Sequence, residues 1–274
     1  MQSSQVPAIH IDTVFISSGF LQRKVEVDIY LPHHISDPLR MNLLLINDGQ
    51  DMKVAGLQKI LKELNAENAL KPLMCIGIHA GAERRMEYGV ASQADYSGRG
   101  AKAGLYSSFV LEELMPYLKK VYSFLNFIEI SIAGFSLGGL TAIDLAWNHP
   151  GVFKKAGIFS GSFWWRSVDQ TDERYDDDKH RIMQQQIRNG SYKPGLKFFF
   201  QCGNMDETMD RNQNGLIDSI DDTLDVIKEL EIKGYKNGED IYYMEMNDGR
   251  HDVETWGRAL PVFLKWGWGR SDKL

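Results

Sequence analysis

The sequence predicts an α/β protein with a mostly parallel central sheet and helices on both faces. Short, continuously apolar runs recur along the chain, such as "MNLLLIN" (41–47) and "PLMCIGIHA" (72–80). Between them apolar residues return at helical spacing, as in Val54, Leu57, Ile60, Leu61 and Leu64. This alternation persists almost end to end, the pattern of βαβ units wound into a sheet.

In chain order, "RKVEVDIYL" (23–31) alternates polar and apolar residues, as a half-buried strand does. Residues 41–47 have no polar face, which suits a strand covered on both sides. The helix at 54–64 and the strand at 72–80 follow. Leu105, Phe109, Leu114 and Leu118 mark a helix that bends or ends near Pro116. Then come a strand at 126–135, a helix to Asn148, the strand "KKAGIFSG", a polar helix around 177–189 and the strand "LKFFFQCG". A helix near 217–231, the strand "DIYYMEMND" and a last helix from about Val253 complete the chain. Segments 81–102 and 161–195 are loop-rich and expected over the sheet edge. No repeat, low-complexity stretch or linker interrupts the pattern, so residues 1–274 read as a single domain.

The chain has 274 residues and a net charge of −6, with its basic residues scattered. It can bury a large core without staples, and nucleic acid or anionic membrane is a poor match as partner. Cys75 and Cys202 sit in apolar runs with no metal-ligand spacing, which predicts reduced core thiols. No apolar run nears the roughly 20 residues that span a bilayer. "MQSSQVPAIHIDTVF" lacks a basic and apolar leader, so the expected location is cytoplasmic.

Gly134-Phe135-Ser136-Leu137-Gly138 is a G-x-S-x-G between a strand and a helix. Glycines on either side let a tight strand-to-helix turn lift the Ser136 hydroxyl above the sheet, and the Leu137 amide, at the helix N-terminus, faces a developing oxyanion. The plainer reading is a glycine turn with Ser136 as helix N-cap. Strand before and helix after favour a nucleophile. In this arrangement the acid and then the histidine come later in the chain. Among seven histidines, His251 alone follows a late strand and precedes the last helix, at the carboxyl edge where ligands bind in open α/β sheets. The acid is expected after "FFFQCG": Asp206, with Glu207 and Asp210 as competitors, would orient the imidazole and stabilise its charged form.

At these residues the chain resembles the esterase family of α/β hydrolases that includes enterobactin-type siderophore esterases and feruloyl and acetyl-xylan esterases. "LLLINDGQD" is similar to that family's oxyanion loop, "ERRMEYG" to its R-x-x-E-[YL] segment at Arg84, Glu87 and Tyr88, "AGFSLGG" to its elbow, "SGSFWW" to the loop after the next strand, and "GRHDVETW" to its histidine loop. The resemblance runs over most of the chain and implies an α/β-hydrolase fold and a serine esterase without an organic cofactor. Asn47-Asp48-Gly49-Gln50 stands where many lipases have a glycine-rich loop, which makes the Gln50 amide the second oxyanion donor. Phe163, Trp164 and Trp165 read either as core or lid packing or as faces for an aromatic or sugar group, and position in the family turns them towards the cleft wall. Arg84 reads either as a binder of a substrate carboxylate or catecholate or as a scaffold pairing with Glu87.

"DRNQNGLIDSID" (210–221) fits a calcium loop: Asp210, Asn212 and Asn214 at positions one, three and five, Gly215 at six, the Leu216 carbonyl at seven, Asp218 at nine and Asp221 at twelve. The competing reading is an Asn214-Gly215 turn, with Asp218 capping the next helix. A calcium ion here would be structural, stiffening the loop that bears Asp206. "SGRGAKAG" (97–104) completes no phosphate-loop pattern and reads as a loop entering a helix.

The expectation is therefore a serine carboxylic-ester hydrolase acting on a small ester, aryl or siderophore-type. An acyltransferase or peptidase with the same triad, and a non-catalytic binding module on this scaffold, are the rival readings.

Overall fold

A computed structural model describes residues 9–270, so both ends of the expected 1–274 unit, residues 1–8 and 271–274, lie outside the described residues. Eight strands form one sheet: β1 (Ile9–Ser18), β2 (Arg23–Pro32), β3 (Met41–Asn47), β4 (Leu73–Ile78), β5 (Phe127–Phe135), β6 (Phe153–Phe159), β7 (Lys197–Met205) and β8 (Ile241–Arg250). Their spatial order is β1-β2-β4-β3-β5-β6-β7-β8. β2 is antiparallel to both β1 and β4, whereas every pairing from β4 to β8 is parallel. All carboxyl ends of the parallel strands consequently open on one edge.

β3 and β4, the apolar runs of the sequence, are buried at every position. Strand β1 went unread for a physical reason. It is an edge strand with most residues exposed or half-exposed, so no apolar alternation marks it.

Helices α1 (Leu57–Ala66), α2 (Arg84–Glu87), α3 (Ala103–Ser108), α4 (Met115–Val121), α5 (Leu137–Asn148), α6 (Asp177–His180), α7 (Ile182–Asn189), α8 (Asp218–Lys233) and α9 (Val253–Trp268) connect the strands. One face of the sheet packs on α1 and α9 through Leu57, Leu61, Leu260 and Phe263. The other packs on α3, α4, α5, α7 and α8 through residues including Tyr106, Leu118, Ile143, Ile187 and Leu230. Pro116 does not end its helix. A π-helical stretch, Phe109–Leu114, joins α3 to α4 and leaves the proline in the first turn of α4, so the helical course carries on through it. The polar helix expected at 177–189 breaks at Arg181 into α6 and α7. Both cysteines are free and buried.

The excursion after β6 is tied to α8 by buried charge. Arg181, only 5% exposed, pairs with Asp222 at 2.7 Å and with Asp225 at 2.7 Å. Arg211 reaches Asp177 of α6 at 3.0 Å and Asp222 at 2.6 Å.

Candidate active site

Strand β5 runs directly into Ser136, whose φ of 53° and ψ of −119° are costly for any residue with a Cβ. The turn is too tight for side chains on either flank. A Cβ on Gly134 would stand 2.3 Å from the Gly138 carbonyl oxygen, and one on Gly138 would stand 2.8 Å from Asp48 Oδ2. Ser136 N donates to Phe159 O at 2.9 Å, which pins the turn to β6. Ser136 sits at the N-cap position of α5 but makes no capping hydrogen bond, so helix capping does not explain it. Its Oγ instead lies 3.2 Å from Ser162 Oγ. Every residue of α5 from Leu137 to Trp147 is buried, which fixes the axis behind the serine. The Leu137 amide lies in the first turn, where helical N–H groups have no intrahelical partner.

Facing it is the Asn47–Gln50 loop. Asp48 has φ 62°, and Gly49 is pressed on Gly77, where a Cβ would meet the carbonyl carbon at 2.4 Å. Asn47 Nδ2 donates to Gly138 O at 2.8 Å, and the Tyr106 hydroxyl donates to Asn47 Oδ1 at 2.6 Å, so this loop and the elbow are stitched together. The Gln50 amide lies in the first turn of a 3₁₀ segment, Gly49–Asp51, and its side-chain oxygen accepts from Ala80 N at 3.0 Å.

Arg84 is a clamp on that loop. Its Nε and Nη2 reach the two oxygens of Asp48 at 2.6 and 2.7 Å. The expected Arg84–Glu87 pair does not form. Glu87 is fully buried and is held by Arg23 of β2 at 2.8 and 2.7 Å. Each desolvated carboxylate takes its own two-pronged guanidinium, the geometry that best offsets burial.

Asp206 closes β7. Gly203 N donates to its Oδ2 at 3.2 Å. The Ser160 hydroxyl lies near this carboxylate and pulls its pKa down, and it accepts from Trp256 Nε1 at 3.0 Å. Among the described residues, Asp206 Oδ1 is buried without a partner. Burial pushes the carboxyl above its usual range, against the pull of Ser160, Gly203 N and the nearby His251. Glu207 lies by the Ser219 amide at the start of α8, which pulls its pKa down against the rise from burial, and Asp210 is folded into its own loop.

His251 follows β8, and Asp252 caps α9 behind it by accepting from Thr255 N at 2.8 Å. The imidazole packs edge-to-face on Trp256 at 5.2 Å between centroids. Desolvation holds its pKa below the ordinary histidine value; Arg84 pushes the same way, while Asp206 and Asp252 oppose. Ser136, Asp206 and His251 each follow the carboxyl end of a parallel strand, β5, β7 and β8 in turn. Among the described residues no hydrogen bond links His251 to the other two.

Trp165 corrects an expectation. It is fully buried, with its indole against Gly89 and Gly100, so it props the 89–100 loop from beneath and lines no cleft. Trp164 is half-buried, with the Arg99 guanidinium 4.7 Å over its ring.

The 210–221 loop curls on itself. Asp210 accepts from Asn214 N at 3.1 Å and Gly215 N at 2.9 Å, and Asp221 accepts from the Asn212 and Asn214 side chains at 2.8 Å each. Gly215 takes a φ of 89°. Asp218 departs from both readings. Its carboxylate is taken by Arg211, at 2.9 Å from the amide and 3.4 Å from the guanidinium, so it is turned away from a ninth-position ligand. Nor does it cap: the N-cap position of α8 is Ile217.

Sequence reasoning missed Asp48, Ser160, Ser162 and Trp256. Each lies inside a quoted segment, but only the tertiary contacts give it a role. It also missed Glu26, Asp28 and His79, a cluster beside the Asn47–Gln50 loop in which His79 Nε2 lies 2.7 Å from Asp28 Oδ2. A cavity of about 490 Å³, lined in part by Arg40, Lys71, Lys155 and Arg270, opens at the other end of the strands, away from Ser136.

An eight-stranded sheet of this order, with a strained serine elbow between β5 and α5, defines the α/β-hydrolase class. Residues 18–266 match the Putative esterase family, and the chain belongs to it. Among solved structures it is similar to the enterobactin esterase of Shigella flexneri, with a TM-score of 0.73 and 20% identity over 95% of this chain and 59% of that one. An IroE-like serine hydrolase from Shewanella oneidensis gives 0.69 and 18% over 93% and 80%. A siderophore hydrolase from Aspergillus nidulans gives 0.66 and 14% over 97% of each chain. The chain spans about three fifths of the enterobactin esterases it matches. A search of curated proteins found no match. No helix of the described residues is long and apolar enough to cross a membrane.

Proposed function

We propose that this chain is a serine carboxylic-ester hydrolase in which Ser136 is the nucleophile, His251 the general base and acid, and Asp206 the group that orients the imidazole. The observation that carries the reading is the strained conformation of Ser136, a cost that packing on both sides sustains and that helix capping does not repay. The buried, unpartnered Asp206 Oδ1 supports it further, because an imidazole N–H is the donor that oxygen lacks. Catalytic hydrogen bonds are often open in a free enzyme and tighten around substrate; closing this triad needs His251 to bond both Ser136 and Asp206.

In that arrangement Ser136 Oγ attacks the ester carbonyl carbon as its proton passes to His251. The carbonyl oxygen takes the electron pair and is held by the amides of Leu137 and Gln50. Collapse expels the alcohol, which leaves with the proton from His251. Water, deprotonated by His251, then attacks the acyl-enzyme, and Ser136 recovers its proton as the acid leaves. No organic cofactor enters these steps. A small aryl or siderophore-type ester is the substrate class that the family and the similar structures favour. Loss of short-chain aryl acetate turnover in Ser136→Ala, with wild type active, is the test; equal turnover in both would remove the serine mechanism. An acyltransferase would instead need a supplied acceptor for rapid turnover.

A structural calcium ion in the 210–221 loop is a second proposal. Asp210, Asn212, Asn214, the Leu216 carbonyl and Asp221 supply oxygens around a bend at Gly215, and the loop is already curled about Asp210. With Asp218 held by Arg211, the ninth position would be served by water. The ion would stiffen the segment after Asp206 and take no part in the reaction.

A further inference from the structure

We propose that Ser162 is a catalytic residue of this site: its hydroxyl donates to Ser136 Oγ, fixes the nucleophile, and stabilises the charge that returns to that oxygen when the acyl-enzyme breaks down. The inference rests on the ester-hydrolase reading above.

A buried hydroxyl has one proton to satisfy, and leaving it unsatisfied is costly. Ser162 is 2% exposed, and among the described residues its hydroxyl has one partner, Ser136 Oγ at 3.2 Å. Ser136 is less enclosed, and in the reading above its proton goes to His251. Ser162 is accordingly the donor, and the Ser136 proton stays free for His251. A second contact holds the two residues together, Ser162 N donating to Ser136 O at 3.2 Å. Ser162 has little room to withdraw, because Gly161 before it is so crowded that a Cβ there would lie 2.5 Å from Ile158 Cγ2 and 2.9 Å from Phe163 Cε2.

The chemistry gives this donor its largest effect in deacylation. There water adds to the acyl carbon, its proton passes to His251, and the bond from that carbon to Ser136 Oγ breaks. The bonding pair moves onto Oγ, which then accepts the proton from His251. A donor already 3.2 Å from Oγ steadies that pair before the proton arrives. The two serines of the Ser160-Gly161-Ser162 turn thus lie towards opposite ends of the triad, Ser160 near the acid and Ser162 at the nucleophile.

The experiment is stopped-flow hydrolysis of 4-nitrophenyl acetate by wild type, Ser162→Ala, Ser162→Thr and Ser136→Ala, with fluorophosphonate labelling and melting of each. Loss of a hydrogen bond to a charged atom predicts a fall in kcat of about tenfold or more for Ser162→Ala. KM should fall with it, and a burst approaching one nitrophenol per active site should appear. Ser162→Thr, which keeps the hydroxyl, should restore the steady-state rate. A burst-free Ser162→Ala with wild-type kcat, alongside an inactive Ser136→Ala, overturns this inference and leaves the esterase reading standing. Wild type that neither labels at Ser136 nor turns over, or Ser136→Ala that turns over normally, sinks the esterase reading and this inference with it. Should Ser162→Ala melt below the assay temperature, Ser162→Cys, a weak donor that fills the site, must show the same burst.

Discussion

Arg84→Met isolates what the clamp on the Asn47–Gln50 loop contributes. The substitution keeps an apolar stem over Tyr88 but leaves the Asp48 carboxylate, 2% exposed, without its two-pronged partner. Removing one member of a buried pair costs about 3–5 kcal/mol. Arg84 keeps 31% of its side chain exposed, so water can follow the truncated chain, and Gln50 Nε2 still donates to Asp48 at 3.1 Å. The loss should therefore lie near the low end, about 3 kcal/mol, or a melting point lower by roughly 6–12 °C for a chain of this size. Asp48→Asn combined with Arg84→Met should recover much of it, since no charge then stays buried alone. A pH effect accompanies the stability loss. The Arg84 charge holds the His251 pKa down; without it that pKa rises. A base must be neutral to act, so the acid limb of kcat/KM should move to higher pH. Urea melts and a pH–rate profile measure the two effects. A cost below about 1 kcal/mol, typical of exposed pairs, or an acid limb that moves to lower pH, would refute the buried-clamp account.

Trp256→Phe should keep most of the stacking on Phe135, 4.8 Å between centroids, while removing the donor to Ser160. A several-fold drop in kcat at nearly constant KM is expected, and unchanged kcat would detach Ser160 from the positioning of Asp206. Calcium should raise the melting temperature by the amount mass action dictates, about 2.7 kcal/mol at a hundredfold excess over Kd. Asp210→Ala should abolish that rise, and a melt insensitive to both calcium and chelator would eliminate the ion. Trp165→Ala should cost about 3–5 kcal/mol, seen as a lower urea midpoint, because the indole fills a fully buried site. A loss under about 1 kcal/mol would return this residue to the surface.

Much of the fold was legible because the parallel strands β3 to β7 carry strong local signals: apolar runs of strand length, each followed by helical periodicity. The elbow was legible for a similar reason, since its glycines answer a steric demand within five residues. His251 and Asp206 were read from chain order, and they stand at the ends of β8 and β7, on the same sheet edge as Ser136. What stayed hidden depends on contacts across the chain. Asp48 meets Arg84 over 36 residues and Ser160 meets Trp256 over 96, and neither pairing leaves a local pattern. Trp165 shows the converse. An aromatic beside a cleft motif reads as a cleft wall, whereas Gly89 and Gly100 have no side chains and leave a socket that the indole fills. Asp218 has the right spacing for a metal ligand, yet Arg211, one residue into the loop, had a prior claim on it.

Arg211 has a mechanical consequence beyond its own loop. Through Asp177 and Asp222 it rivets the excursion after β6 to α8, and Arg181 adds a second rivet through Asp222 and Asp225. That excursion cannot hinge open like a flap without exposing charges that hold one another out of water. Adaptation to substrates of different bulk must then come from side chains at the rim, so that exchanging rim residues such as Trp164 retunes the opening while the roof keeps its place.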